Sequence, residues 1–166
     1  MIQKKICLLG SYSVGKSSLV GRFVKSIFSE KYHTTIGVKI DKKVVNTGAA
    51  DVTLMIWDLA GEDEFSGLDI SYLRGASGYL LVVDGTRRST LETALSIQQR
   101  TVEKIGNVPF AVLVNKADLA AKWELEEADL EALAGRGWTV FRTSAKTGEF
   151  VETAFLGLAE KMSLES

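Results

Sequence analysis

Gly10-Ser11-Tyr12-Ser13-Val14-Gly15-Lys16-Ser17 directly follows the apolar run Ile6-Cys7-Leu8-Leu9 and precedes Leu19, Val20, Phe23, Val24 and Ile27 at helical spacing. The octapeptide fits G-x-x-x-x-G-K-[ST] in a strand, loop, helix context, a pattern whose chemistry is phosphate binding. Glycines let the backbone curl so that successive N–H groups face phosphate oxygens. A lysine then reaches the β- and γ-phosphates, and a hydroxyl ligates Mg²⁺. The positive end of the following helix adds to the attraction. The phosphate-binding set is therefore Ser13, Val14, Gly15, Lys16, Ser17 and Ser18. A Gly-rich turn without a ligand satisfies the same pattern, and two other segments decide between these readings.

Asn115-Lys116-Ala117-Asp118 ends the apolar run Phe110–Val114, and Ser144-Ala145-Lys146 ends the run Thr139–Arg142. Both lie at carboxyl ends of expected strands, where open α/β sheets bind ligands. A carboxylate such as Asp118 accepts from both the ring N–H and the exocyclic amino group of guanine, a donor pair that adenine lacks. A site that pairs buried polar groups rejects ligands lacking them by orders of magnitude. Guanine is thus the expected base, held by Asn115, Lys116, Asp118, Ser144, Ala145 and Lys146. Phe28 either stacks on the base or belongs to the core.

The γ-phosphate needs further groups. Asp58-Leu59-Ala60-Gly61 follows the run Val52–Trp57; Asp58 is expected to hold Mg²⁺ through a water, and the Gly61 N–H to bond a γ-phosphate oxygen. Residues 28–38 show no apolar periodicity, and long stretches of this kind are functional or disordered. Thr35 within them can offer its hydroxyl to the metal beside Ser17. Loss of the γ-phosphate would release both segments, which is how nucleotide-dependent switches work.

Strands are expected at about Lys4–Leu9, Val38–Val45, Val52–Asp58, Tyr79–Asp84, Phe110–Asn115 and Thr139–Thr143. Asn46-Thr47-Gly48 reads as the turn of an antiparallel hairpin between the second and third. The other strands alternate with helical patterns, so the expectation is an α/β chain with a six-stranded, mostly parallel sheet and helices on both faces. Val151, Ala154, Phe155, Leu158, Ala159 and Met162 form one helical stripe. Ser89-Thr90-Leu91-Glu92 reads as a capping box opening a helix that carries Leu95, Val102 and Ile105. The acidic stretch 124–131 reads as a solvated helix face.

A chain of 166 residues suits one domain, 1–166. Net charge −1 gives no electrostatic case for nucleic acid or an acidic membrane. The only cysteine, Cys7, lies in an apolar strand and reads as a small buried hydrophobe, compatible with a reducing cytoplasm. Lys4 and Lys5 interrupt any early apolar leader, and no apolar run approaches a membrane span. Residues Met162–Ser166 contain no cysteine for a prenyl group, so no intrinsic membrane anchor is expected.

In this order and at these intervals, the octapeptide, Thr35, Asp58–Gly61, Asn115–Asp118 and Ser144–Lys146 resemble the five boxes of a Ras-superfamily small GTPase over essentially the whole chain. Thr35-Ile36-Gly37-Val38, Ile56-Trp57-Asp58 and Tyr72-Leu73-Arg74-Gly75-Ala76 bring the resemblance closest to the Rab branch. It implies a P-loop NTPase G domain, a monomeric cytoplasmic signalling switch using GTP/GDP and Mg²⁺, with a protein effector, an exchange factor and an activating protein. Lys16, Thr35, Gly61 and Glu62 fall at the positions tied to hydrolysis. Ile40, Trp57 and Tyr72 match the hydrophobic triad that meets Rab effectors, although Trp57 also suits a strand-face core residue. The missing prenylation site fits an unlipidated, prokaryotic member or a removed tail.

Four departures mark this chain. Glu62 stands where the family has the Gln that orients the attacking water; it either weakens hydrolysis, acts as a base, or faces solvent. Tyr12 replaces a small residue in the phosphate loop, where it can obstruct an arginine finger. Ile40 replaces the usual Phe of the triad and Leu73 a second Tyr, which leaves effector identity open. No Arg is obviously placed to act in cis, since Arg87 and Arg88 follow the fourth strand at some distance from the switches. The sequence therefore favours a slowly hydrolysing GTP switch that binds an effector in its GTP form. The alternatives are a GTP-binding interaction module with little hydrolysis and an ATP-using P-loop enzyme, which Asp118 and Ala145 argue against.

Overall fold

Alternation along the first strand sets the layers of the molecule. In the computed structural model, which describes residues 2–25, 38–59 and 70–164, β1 spans Ile2–Gly10. Ile6 and Leu8 enter one apolar cluster, Cys7 and Leu9 another, as a two-residue period requires when both faces of a strand are covered. The chain continues through α1 (Lys16–Lys25), β2 (Val38–Asn46), β3 (Asp51–Leu59), β4 (Gly78–Asp84), α2 (Arg88–Ile105), β5 (Phe110–Asn115), α3 (Glu127–Gly135), β6 (Val140–Arg142) and α4 (Val151–Leu164). Short 3₁₀ turns cover Ile70–Leu73 and Ala117–Lys122. The sheet runs β2-β3-β1-β4-β5-β6. Only the β2–β3 pair is antiparallel; β1 is parallel to β3 and β4, β4 to β5, and β5 to β6.

Helices α1 and α4 cover the Ile6–Leu8 face, where Phe23 stacks on Phe155 with ring centroids 4.1 Å apart. All six residues of the expected α4 stripe are buried. Helices α2 and α3 cover the other face through Ala94, Ile97, Leu130 and Leu133. The hairpin turn is the one expected: Gly48 N–H donates to Asn46 Oδ1 and Thr47 N–H to the Ala50 carbonyl. The sixth strand is shorter than expected.

The start of α2 corrects the sequence reading. The helix begins at Arg88 behind Arg87, whose side chain makes no cap bond. Thr90 is buried and tied to the end of β4, accepting from the Asp84 N–H at 2.9 Å and bonding the Asp84 and Arg87 carbonyls. Ser89, the residue expected to cap, lies inside the first turn and so cannot be the N-cap of a box with Glu92. The buried face runs through Thr90, Ala94, Ile97 and Thr101, while Leu95, Val102 and Ile105 are only half-buried. Thr101 tolerates burial because its hydroxyl donates to the Ile97 carbonyl one turn back.

A true capping box opens α3 instead, between Glu126 and Asp129. The acidic stretch is thus structural in part. Glu124 caps the Arg88 N–H, Asp129 pairs with the Arg88 guanidinium at 2.8 Å, and Leu125 and Leu130 are buried.

Candidate functional site

The carboxyl ends of β1, β3, β4 and β5 meet where the strand order turns from β1 outward to both sides, the place at which such sheets bind ligands. The octapeptide bridges β1 to α1 there. Lys16 is buried, and its ammonium donates to the Ser11 carbonyl at 3.0 Å and the Gly10 carbonyl at 3.4 Å. Burial pushes its pKa down to about 8, a shift that Asp58 opposes and nearby Arg87 reinforces. An anion placed against it would restore the charged form.

Three successive carbonyls of the loop are gripped from the β4 and β5 side. Asn115 Nδ2 donates to the Val14 carbonyl at 3.0 Å, Lys116 Nζ to the Ser13 carbonyl at 3.3 Å, and Arg87 Nη2 to the Tyr12 carbonyl at 2.9 Å. No described peptide bond is cis. In a trans peptide unit the C=O and the next residue's N–H point opposite ways, so the Ser13, Val14 and Gly15 N–H groups face away from these grips. That is the concave arrangement an anion-binding loop needs. Gly15 is required twice over: its φ is +100°, and a Cβ would sit 2.3 Å from Asn115 Nδ2.

The hard oxygen donors expected for a metal lie at the end of this loop. Ser17 Oγ, at the start of α1, is hydrogen-bonded to the buried carboxylate of Asp58 in β3. A hydroxyl paired with a carboxylate beside a phosphate loop suits Mg²⁺, which takes one or two protein oxygens and fills its shell with phosphate and water. Thr35, Gly61, Glu62 and Phe28 lie outside the described residues.

Around the expected base site, Asn115 is buried at the end of β5, and its Oδ1 accepts from Thr143 Oγ1 at 3.2 Å. Lys116 takes a left-handed conformation, φ +72°, and its carbonyl accepts from Trp123 Nε1 at 2.8 Å. Asp118 is exposed in the following turn, with one carboxylate oxygen held by Ser144 Oγ at 2.8 Å. Ala145 is buried, and Arg22 of α1 donates to the Ala145 carbonyl at 2.8 Å and to the Lys146 carbonyl. The two segments read from the sequence are thus brought together, and both are tied to the phosphate loop or its helix.

Four supporting residues escaped the sequence reading: Arg22, Asp84, Arg87 and Trp123. Asp84 ends β4 fully buried, with its Oδ2 accepting from Lys116 Nζ at 2.8 Å and Arg87 Nε at 3.0 Å. Thr86 donates its N–H and hydroxyl to Oδ1. Burial alone would raise the Asp84 pKa, but the bonds from Lys116, Thr86 and Arg87 outweigh it and hold the carboxyl below its ordinary value. A carboxylate closing an apolar strand was the available signal. Arg87, read from the sequence only as distant from the switches, touches the phosphate loop.

On the outer face, Ile40 stands directly opposite Trp57 in the β2–β3 register. The Trp57 ring lies 6.1 Å from that of Tyr72, and Lys5 Nζ sits 3.7 Å from the Trp57 centroid. Ile40 is 45% exposed, whereas Leu73, in the position next to Tyr72, is fully buried. Tyr12 is 43% exposed. No described helix is long and apolar enough to cross a membrane.

Comparison with known proteins agrees with this geometry. The Ras family model matches residues 5–164. The chain is also 39% identical over 158 residues to the Ras-related protein Rab-4B of Rattus norvegicus, an alignment that covers 93% of this chain and 74% of that protein.

Proposed function

The chain belongs to the Ras family of GTP-binding switch GTPases, near its Rab branch, and from that premise we propose that it works as a single G domain that hydrolyses GTP slowly and engages a protein effector in its GTP form. The observation carrying this reading is the triple grip on the Tyr12, Ser13 and Val14 carbonyls, two of its donors coming from the base-reading segment itself. Base and phosphates are then held by one connected set of hydrogen bonds.

In this reading the Ser13, Val14 and Gly15 N–H groups and Lys16 hold the phosphates, and Asp118 accepts from the two guanine donors. Ser17 and Asp58 would hold Mg²⁺, with Thr35 as a further oxygen donor; when bound, the ion neutralises charge developing on the phosphate oxygens. Water attacks the γ-phosphorus, the bond to the β-phosphate oxygen breaks, and GDP and phosphate leave. Glu62, in place of the water-orienting Gln, keeps this step slow: a carboxylate within 4 Å of the γ-phosphate is repelled by ~4 kcal/mol per charge pair at an effective dielectric near 20.

Titration calorimetry tests the base preference. GDP is expected to bind and ADP not, and comparable affinity for the two would remove the role given to Asp118. In single-turnover assays Glu62→Gln should raise a rate that in Ras is on the order of 10⁻⁴ per second. A tenfold fall instead, about 1.4 kcal/mol of lost transition-state stabilisation, would make Glu62 a working catalytic group. Ile40, Trp57 and Tyr72 form the proposed effector surface, so Trp57→Ala should damage partner binding and leave GDP affinity unchanged.

A further inference from the structure

Among the loop's three grips, the one from Arg87 has no counterpart in the motifs that announced the site. Arg87 follows β4, and its guanidinium is shared between the buried Asp84 carboxylate, 3.0 Å from Nε, and the Tyr12 carbonyl, 2.9 Å from Nη2. The same Asp84 oxygen holds Lys116, which grips the next carbonyl, that of Ser13. One buried carboxylate therefore anchors two cations on two adjacent peptide units of the phosphate loop. The Tyr12 unit lies beside the Gly10 and Ser11 carbonyls on which Lys16 Nζ rests, and in loops of this type that lysine marks the β/γ end of the nucleotide.

We propose that Arg87, anchored on Asp84, is a positioning residue for the triphosphate end of the loop: by holding the Tyr12 carbonyl it directs the Ser13 N–H toward the phosphates. This rests on the reading of the chain as a GTP-binding protein. A planar fork suits the task, because Nε and Nη2 can serve two acceptors at once. A lysine ammonium can bridge two acceptors only where both lie within reach of its one nitrogen, as Lys116 does with Asp84 and Ser13, whereas Arg87 reaches its two acceptors from two separate nitrogens. The Arg87 side chain is 40% exposed, so its removal should leave the core untouched.

The test uses the full chain loaded with fluorescent GDP or a fluorescent non-hydrolysable GTP analogue, and compares wild type with Arg87→Ala and Arg87→Lys. Loss of a charge-assisted bond predicts about a tenfold faster release of the triphosphate analogue from Arg87→Ala, with a smaller change for GDP. Arg87→Lys should stay impaired, millimolar methylguanidinium should partly slow release from Arg87→Ala, and the melting temperature of nucleotide-free protein should be unchanged. Equal acceleration for both nucleotides, unchanged release, or a matching fall in nucleotide-free melting temperature would each overturn the assignment while GTP binding stands. A wild-type protein that fails to retain GTP would remove the underlying reading as well.

Discussion

Side-chain chemistry at single positions decides what this site can read. Asp118 is exposed and steadied by Ser144 Oγ, so Asp118→Asn keeps an acceptor for Ser144 but swaps a two-acceptor edge for one that carries donors. Calorimetry should show GDP affinity falling at least a hundredfold, ~2.7 kcal/mol, with the melting curve of the nucleotide-free protein unchanged. Cys7 shows the opposite condition. Burial in β1 pushes its thiol up to about 11, so an aromatic disulfide reagent at pH 8 should label it only after denaturation; prompt labelling of native protein would contradict that burial. What was legible here was local. The spacing from Gly10 to Ser17 and the chemistry of Asp118 speak without a fold. Asp84 and Arg87 do not, because their meaning depends on β4 ending beside both the phosphate loop and Lys116, a juxtaposition made by strand order.

At the scale of elements, helices with one purely apolar stripe were legible and those anchored by polar residues were not. Every stripe residue of α4 is buried, and Phe155, fully buried against Phe23, should be worth about 3–5 kcal/mol when cut to Ala, measurable by urea unfolding at constant m-value. In α2 the inward face includes Thr90 and Thr101, whose hydroxyls find backbone partners, so a hydrophobic pattern alone finds only the flank of that face, where Leu95 and Ile105 pack half-buried against the core. The same helix is clamped to α3 by Arg88, which meets both carboxylate oxygens of Asp129. Its bond from Arg88 and the backbone bond at Glu126 hold the Asp129 carboxyl down at about 2. A depressed carboxylate contributes stability above its unfolded pKa and loses it as the group protonates. The difference in melting temperature between wild type and Arg88→Ala should therefore be full at pH 6 and shrink as the pH falls from about 4 to about 2. A difference independent of pH over that window would show that the clamp acts through packing alone.

Across the whole molecule, the sheet places the nucleotide end and the proposed effector face on connected elements. β3 carries Asp58 at its site end and Trp57 one residue earlier, where alternation turns it to the opposite face toward Ile40 and Tyr72. The antiparallel hairpin was legible from Asn46–Gly48, but that Lys5 covers the Trp57 ring and also donates to the Arg74 carbonyl at 2.8 Å follows only from β1 lying beside β3. A ligand shifts such a system only by binding its two states differently, and here the difference is the γ-phosphate, proposed to engage Thr35 and Gly61. Among the described residues, the start of β2, Val38–Ile40, and the turn Ile70–Leu73 are the first to follow Thr35 and Gly61 in the chain. Hydrogen exchange with a GTP analogue should protect their amides more than exchange with GDP, whereas β4 and β5, fully inside the sheet, should exchange alike in both states. Protection that rises equally across all strands would indicate global stabilisation by tighter binding. Identical protection at Val38–Ile40 and Ile70–Leu73 in the two states would leave a nucleotide-binding protein whose proposed effector face does not sense which nucleotide it holds.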